Sequence, residues 1–233
     1  VLYDVEAVID GNNITLCSPL VTDRSKLVAT FATNGERVLV NGAEQMSGYT
    51  SNDFSEPLQY MVFSSNGEMN IYNVSVSGTG LPTVIINTPK GAAVPPKTAD
   101  WLEGTYIKII NPDGTVDYEG KEDNIRGRGN STWGYPKKPY ALKLDSKASI
   151  LGMPKHKRWV LLANWMDRTM LRNRVAFTIA EKTCLAWTPR GEFVEVILNG
   201  KHVGNYYLCE QIKVDENRVN INELEDTDTE GDA

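Results

Sequence analysis

Turn dipeptides at short intervals are the feature that most limits how the first third of the chain can fold. Asn34-Gly35, Asn41-Gly42 and Asn66-Gly67 favour type I′ hairpin turns, with a looser signal at Gly11-Asn12. The segments "LQYMVFSS" and "MNIYNVSVSG" alternate apolar and polar residues on either side of Asn66-Gly67. No segment before residue 80 has sustained helical periodicity. Residues 1–79 are therefore predicted to form a small β-sandwich.

The composition changes after this segment, in "GTGLPTVIINTPKGAAVPPKT", which is rich in small residues and proline. A chain of 233 residues is long enough for two domains. All five tryptophans lie beyond the shift, as expected if the larger core belongs to the second part. We place the boundary between Thr79 and Pro82, which gives domains at 1–79 and 80–233.

The second domain mixes strands with one helix. "WLEGTYIKIINPDGTVDYEG" predicts a hairpin, "KPYALKL" a strand and "RWVLLANW" a short apolar run. A helix is predicted over 168–183, with Asp167 as its N-cap, and a last hairpin turns at Asn199-Gly200. The apolar face expected for this helix comprises Leu171, Val175, Thr178 and Ile179. The order predicts an α+β domain in which one main helix accompanies an antiparallel sheet.

The second domain also contains a basic block. Residues 121–175 hold thirteen Lys or Arg against four Asp or Glu, although the whole chain has a net charge of −6. The block includes "NIRGRGNSTWGYPKKPYALKL", in which glycines let the backbone approach a ligand and the cations favour an anionic one. Two interpretations stay open from the residues alone: an anion-binding site, or a glycine-rich turn with solvated charges.

Other classes of site find little support. Cys17, Cys184 and Cys209 lie far apart and are predicted to be buried free thiols. His156 and His202 are isolated, so no metal site is proposed. No apolar run approaches the ~20 residues of a transmembrane helix. No nucleic-acid module is recognised and the overall charge is acidic, so no nucleic-acid partner is expected.

The N-terminal part resembles the immunoglobulin-like modules found in Bacteroidetes surface proteins. The resemblance rests on "DFSEPLQYMVFSSNGEMNIYNVSVSG". It implies a display or spacer module on a secreted or cell-surface protein. The chain opens with the alternating "VLYDVEAVID" and not with a visible signal peptide, so we expect that any signal sequence has been removed.

Three collinear blocks in the second domain resemble the CotH kinase family, whose name comes from a spore-coat protein. They are "IRGRGNSTW…KKPYALKLD", "LGMPKHKRWVLLANWMDRTMLRN" and "FVEVILNGKHVGNYYLCEQIKVDENRVNI". The resemblance covers about residues 83–222. It implies an atypical kinase that uses ATP and Mg²⁺ to phosphorylate protein Ser/Thr residues. The expected fold is therefore a β-sandwich followed by an α+β kinase-like N-terminal lobe.

The resemblance also implies positions for the nucleotide. Lys143 would take the place of a kinase phosphate-binding lysine, and Glu210 would lie at the hinge beside the adenine. Because "YALKL" alternates, Lys143 is predicted on the face opposite Leu142 and Leu144; the solvent side of an amphipathic strand is the alternative. The loop over the phosphates would consist of Arg126, Gly127, Arg128, Gly129, Asn130 and Ser131.

Two features depart from protein kinases. The glycines lack the GxGxxG spacing, and the only acid in the helix, Glu181, is near its C-terminal end, which puts a standard Lys–Glu pair in doubt. Arg172 and Asn173 take the prominent polar positions, where they either organise substrate or phosphate, or pin the helix to neighbouring backbone. We expect Arg126, Arg128 and Ser131 to converge on one cleft with Lys143, because an anion site requires its cations to lie close together.

Phosphoryl transfer also requires carboxylates that hold Mg²⁺ and orient the acceptor hydroxyl. The resemblance places these C-terminal to "RVNI", after which only "NELEDTDTEGDA" follows, so the kinase-like domain is expected to be truncated and not to catalyse transfer as given. Should it do so, Asp145, Asp167, Glu210 and Asp215 are the alternative carboxylates. The competing function is a surface interaction protein that holds polyanions or partner proteins without catalysis. The sequence names no protein substrate.

Overall fold

The computed structural model describes residues 6–18 and 24–222. The chain divides into two compact units, the first comprising Val1–Leu81 with Pro112–Gly114 and the second Pro82–Asn111 with Thr115–Ala233. The acidic tail from residue 223 onward lies outside the described residues.

The described part of the first unit is built from β-strands. Its larger sheet has the order β1-β2-β8-β7-β4-β5, and β3 pairs with β6 in a two-stranded sheet. All pairs are antiparallel except β2 with β8. A small core forms from Val38, Val40, Phe54, Tyr60 and Val76. The strands are β1 (Val8–Asp10), β2 (Asn13–Ser18), β3 (Leu27–Val28), β4 (Arg37–Val40), β5 (Ala43–Glu44), β6 (Ser51–Asn52), β7 (Leu58–Phe63) and β8 (Met69–Gly78).

The turn chemistry explains where these strands reverse. Asn41 and Gly42 have φ of 51° and 80°, as the predicted type I′ turn between β4 and β5 requires. The hairpin around Asn66-Gly67 is also present, but only the glycine has positive φ and the loop is longer than two residues. Asn34-Gly35 does not form a type I′ turn, because neither residue has positive φ. The prediction at that position was wrong.

The second unit is a closed seven-stranded barrel with the order β10-β11-β12-β13-β15-β14-β9. Its interior is filled by apolar side chains, of which Trp159 is the largest and is fully buried. The strands are β9 (Thr83–Asn87), β10 (Leu102–Ile110), β11 (Val116–Gly127), β12 (Tyr140–Ile150), β13 (Met153–Leu162), β14 (Gly191–Leu198) and β15 (Lys201–Glu210). Two short 3₁₀ helices span Pro89–Gly91 and Ser131–Gly134.

Closure of the sheet is the main difference from the antiparallel sheet that was expected. β9 pairs antiparallel with β10 on one side and parallel with β14 on the other, so it joins the two edges. A closed sheet has no free edges, which removes unpaired backbone groups. The β-rich character and single main helix agree with the prediction, whereas the immunoglobulin-like and kinase-lobe identities remain proposals.

The helix α1 spans Arg172–Glu181 and is shorter than the predicted 168–183. Its expected apolar face was wrong: Leu171, Val175 and Ile179 are 48%, 51% and 58% exposed. The helix contacts the outside of the barrel instead through Phe177, whose ring lies 6.2 Å from that of Tyr207. No helix among the described residues has the length and apolar character needed to cross a membrane.

The cysteine prediction was correct in one respect and wrong in another. All three cysteines are free thiols. Cys209 is buried, and burial raises its pKa to about 12. Cys17 and Cys184 are exposed, contrary to the expectation that all three would be buried.

Candidate functional site

A cluster of cations lies on the outer face of strands β11, β12 and β13. Arg126 pairs with Ala141 across β11 and β12, and Lys143 pairs with Arg158 across β12 and β13. Because side chains alternate along a strand, Arg126, Lys143 and Arg158 project to the same side of the sheet. The residues between or beside them, which point into the barrel and are fully buried, are Ile125, Leu142, Leu144 and Trp159.

The predicted orientation of Lys143 is thereby confirmed. Like charges placed directly opposite each other on one sheet face destabilise the pair, so the position of Lys143 beside Arg158 has a cost. Among the described residues, no carboxylate oxygen lies within 4.0 Å of the charged nitrogens of Lys143, Arg126 or Arg158. The cost would be offset by an anion bound between them.

Trp101 holds two of these cations in place. The guanidinium carbons of Arg126 and Arg158 lie 4.4 Å and 4.8 Å from the centre of an indole ring of Trp101. A guanidinium over an indole face is attracted by about 0.5–2 kcal/mol, depending on its exposure to solvent. Burial, and then the neighbouring charge of Arg126, lower the pKa of Arg158. The arrangement keeps two positive groups close without neutralising either, which suits the binding of an anion.

Lys143 is half-buried and lines a cavity of about 330 Å³. Its ammonium group has no hydrogen-bond or ion-pair partner within the described part of the chain. The side chains that share the cavity with Lys143 are three carboxylates, one further ammonium group and two neutral side chains. They are Glu103, Glu122, Asn124, Leu144, Asp145 and Lys157, with Gly104 contributing backbone.

The glycine-rich segment after β11 is shaped by packing against Trp133. The Trp133 ring occupies the space that a Cβ atom on Gly127 would need, and Gly129 has φ of 84°, so both positions require glycine. The side-chain oxygen of Asn130 accepts a hydrogen bond from the Lys97 ammonium group. Ser131 is exposed at the start of the second 3₁₀ helix. These contacts account for the local structure whether or not a phosphate binds there.

Arg128 does not line the cavity that Lys143 lines, so the two residues are not brought together in one cavity as expected. Arg128 lines a second cavity, of about 300 Å³, together with Arg172 and Asn173, three residues that the sequence analysis had singled out. This cavity lies between the glycine-rich segment, the end of β13 and the start of α1. Its other side chains are Thr132, Tyr135, Lys137, Pro139, Leu162, Ala163, Asn164, Trp165, Met166 and Asp167.

The start of α1 is fixed by Asp167 and two asparagines. Asp167 is not the predicted N-cap, a position that Leu171 takes, but one of its carboxylate oxygens accepts a hydrogen bond from the Arg172 backbone N–H at 2.8 Å. Hydrogen bonds of this kind lower the pKa of Asp167. The side-chain amide of Asn173 donates to the Asn164 side-chain oxygen at 2.8 Å. This contact ties α1 to the segment after β13 through a side chain, whereas the pinning considered from the sequence was to backbone.

Glu210 is buried and engaged by two arginines. Its carboxylate accepts two hydrogen bonds of 2.9 Å from the Arg190 guanidinium and one of 3.1 Å from the Arg190 backbone N–H. The Nε atom of Arg218, a residue that is 3% exposed, lies 3.6 Å away. Both oxygens are thus occupied by ion pairs. This geometry gives Glu210 a structural role, and its predicted position beside an adenine stays a prediction.

The alternative carboxylates are dispersed. Asp215 forms an ion pair with Lys147 at 3.2 Å, Asp167 accepts a hydrogen bond at the start of the helix, and Asp145 borders the first cavity. Across residues 6–18 and 24–222, no three His, Cys, Asp or Glu side chains group closely enough to hold a metal ion. Metal ligation is therefore assigned to none of the described residues.

Sequence reasoning missed Arg158 and Trp101. Arg158 could have been found, because the alternation in "KRWVLL" places it on the face opposite Trp159. The stacking of Trp101 had no local signal, since this residue precedes β10 and meets β11 and β13 only through the tertiary fold.

Comparison with known proteins supports the resemblance seen in the three blocks. Residues 125–230 match the family described as CotH kinase protein, and the resemblance is thus confirmed for this part of the chain. The matched segment contains the cations of the outer face and the second cavity. No curated protein matches the chain.

Proposed function

We propose that this chain, whose residues 125–230 match the CotH kinase protein family, carries the nucleotide-binding lobe of an ATP-dependent protein Ser/Thr kinase. The observation that carries the proposal is the cluster of Arg126, Lys143 and Arg158, which share one face and lack carboxylate partners among the described residues. Phosphoryl transfer depends on positioning and on the stabilisation of negative charge.

The cluster suits a triphosphate because its members offer different contacts. Guanidinium groups bind phosphate oxygens in a bidentate manner, and an ammonium group acts as a point charge. With Trp101 behind the two guanidiniums, few side-chain rotations need to be frozen when an anion binds. ATP would supply the phosphoryl group, and Arg126, Lys143 and Arg158 would hold its phosphates. Mg²⁺, which the family also implies, is left without assigned ligands.

The first unit is proposed to be an immunoglobulin-like display module, and the protein to act outside the cell or at the bacterial surface. This part of the proposal rests on the sequence resemblance to Bacteroidetes surface modules and on the β-rich architecture of the unit. The protein substrate follows from neither observation.

Thermal unfolding with added ligands tests the nucleotide proposal. Mg-ATP at about 100 times its Kd should stabilise the protein by about 2.7 kcal/mol. CTP and inorganic tripolyphosphate test whether the base contributes, and heparin tests the alternative of a non-catalytic polyanion-binding protein. Stabilisation by heparin and tripolyphosphate but not by millimolar Mg-ATP would favour that alternative.

A further inference from the structure

The second cavity combines three cations with a single acid that is already engaged. Arg128, Lys137 and Arg172 line it, and Asp167 is the only carboxylate among its lining residues. Both oxygens of Asp167 accept hydrogen bonds, one from the Thr169 hydroxyl at 2.7 Å and the other from the Arg172 backbone N–H at 2.8 Å. The cavity therefore presents net positive charge with little internal neutralisation.

The cations differ in how firmly they are held. The Lys137 ammonium group donates to the Asn205 carbonyl and lies 4.5 Å from the centre of the Tyr206 ring, which fixes its position. Arg128 has no side-chain hydrogen bond or ion pair with any described residue. The Arg172 side chain is 82% exposed, and its Nε atom lies 3.7 Å from Asp167. Two guanidiniums are thus available to a ligand at the rim.

Apolar side chains lie next to these charges. Trp165 is 48% exposed and Met166 is 67% exposed, and both line the cavity. A small inorganic anion would leave this apolar surface in water. A peptide that carries acidic side chains and an apolar one would cover it and pair with the cations as well.

We propose that this cavity binds an acidic segment of a protein substrate, next to an apolar residue of that segment. The substrate part of this inference rests on the proposed kinase function, whereas the binding of an acidic peptide does not. The cations of the cavity favour acidic residues in the peptide. The exposed apolar surface of Trp165 and Met166 favours an apolar residue beside them. The cavity is separate from the one that Lys143 lines, so the peptide and the nucleotide would not compete for the same side chains.

The test is direct peptide binding, measured by fluorescence anisotropy on the full chain. The probe is a fluorescein-labelled peptide of Glu residues around one Leu and one Ser, compared with a matched peptide in which Gln replaces every Glu. Only the Glu peptide should bind, with an affinity that falls as salt increases. Arg172→Gln and Trp165→Ala should each weaken binding about tenfold, a change of about 1.4 kcal/mol.

Arg168→Gln is the matched control, because Arg168 is an exposed arginine of the same segment that does not line the cavity. Circular dichroism verifies that each variant is folded. Equal binding of the Gln peptide, an equal loss in the Arg168 variant, or binding of heparin without binding of the Glu peptide would overturn the proposal.

Thermal stabilisation by Mg-ATP in the same samples separates this inference from the proposed function. Arg172→Gln should weaken peptide binding about tenfold and keep the full nucleotide response. Peptide binding in a protein that Mg-ATP does not stabilise would support the peptide site and contradict the kinase assignment. A nucleotide response without peptide binding would contradict only the peptide site.

Discussion

Arg158 lies directly opposite Lys143 in the antiparallel ladder between β12 and β13, with no carboxylate of the described residues within ion-pair distance of either. Neighbouring like charges destabilise a sheet, and proteins retain them where a ligand or partner provides the opposite charge. The pair therefore connects the geometry of the barrel with the anion-binding function proposed for it.

Substitution of Trp101 tests whether the stack positions the two arginines. Trp101→Leu should weaken Mg-ATP binding several-fold, because each guanidinium loses about 0.5–2 kcal/mol of attraction and gains rotational freedom. Trp101→Phe should retain part of the affinity. Isothermal titration calorimetry gives the dissociation constants, and an unchanged value for the Leu variant would show that Trp101 serves packing alone.

Glu210 should prove to be a stability residue. Glu210→Gln should lower the free energy of unfolding by about 3 kcal/mol, because Arg218 would remain buried without its ion-pair partner. Urea denaturation measures the change. A loss of nucleotide affinity in a variant of nearly wild-type stability would instead restore the predicted role of Glu210 beside the adenine.

Because of Lys137, the free energy of unfolding should depend on pH in the alkaline range. Burial lowers its pKa to about 8 in the folded protein, whereas an unfolded lysine has a pKa of 10.5. Between these values the unfolded chain binds more protons, so the free energy of unfolding should rise with pH over this window and stay lower below it. Because Lys137 is partly exposed and solvent screens its charge, the gain should be only on the order of 1 kcal/mol. Lys137→Met should remove this contribution when urea denaturation is compared at pH 7.5 and about pH 10, and an identical pH dependence in the variant would contradict the assignment.

The first unit should fold by itself. A fragment of residues 1–79 contains the strands β1 to β8 and the small core around Tyr60 and Phe54. Its two-dimensional ¹H–¹⁵N NMR spectrum should show the wide amide dispersion of a β-protein. A narrow spectrum, typical of an unfolded chain, would mean that the predicted boundary near Thr79 is misplaced.

The sequence predicted those parts of the fold that depend on interactions between residues close together in the chain. The type I′ turn at Asn199-Gly200 is present with φ of 51° and 79°, and the alternation around Lys143 gave its correct orientation. Barrel closure could not be predicted in this way, because β9 and β14 are parallel strands about 110 residues apart, and no turn signal encodes their pairing.

In the candidate site, too, some features could be predicted from the sequence and others depended on the tertiary fold. The sequence indicated Arg126, Lys143 and the basic block, since these depend on composition and alternation. It did not indicate that Arg128 lines another cavity, because the turn at Gly129 and the packing of Trp133 redirect the chain after β11. The helix face was predicted wrongly, since Phe177 makes the contact with the barrel and the apolar stripe that includes Val175 is exposed.

The most direct test of the cationic face is calorimetric titration of Mg-ATP into the wild-type protein and a Lys143→Ala/Arg158→Ala double variant. Lys201→Ala, which changes an exposed lysine outside the cluster, is the control. The account predicts that the double variant loses at least about tenfold in affinity, equal to about 1.4 kcal/mol, while its melting temperature and the affinity of the control are retained. Equal Mg-ATP affinity in the wild type, the double variant and the control would contradict it.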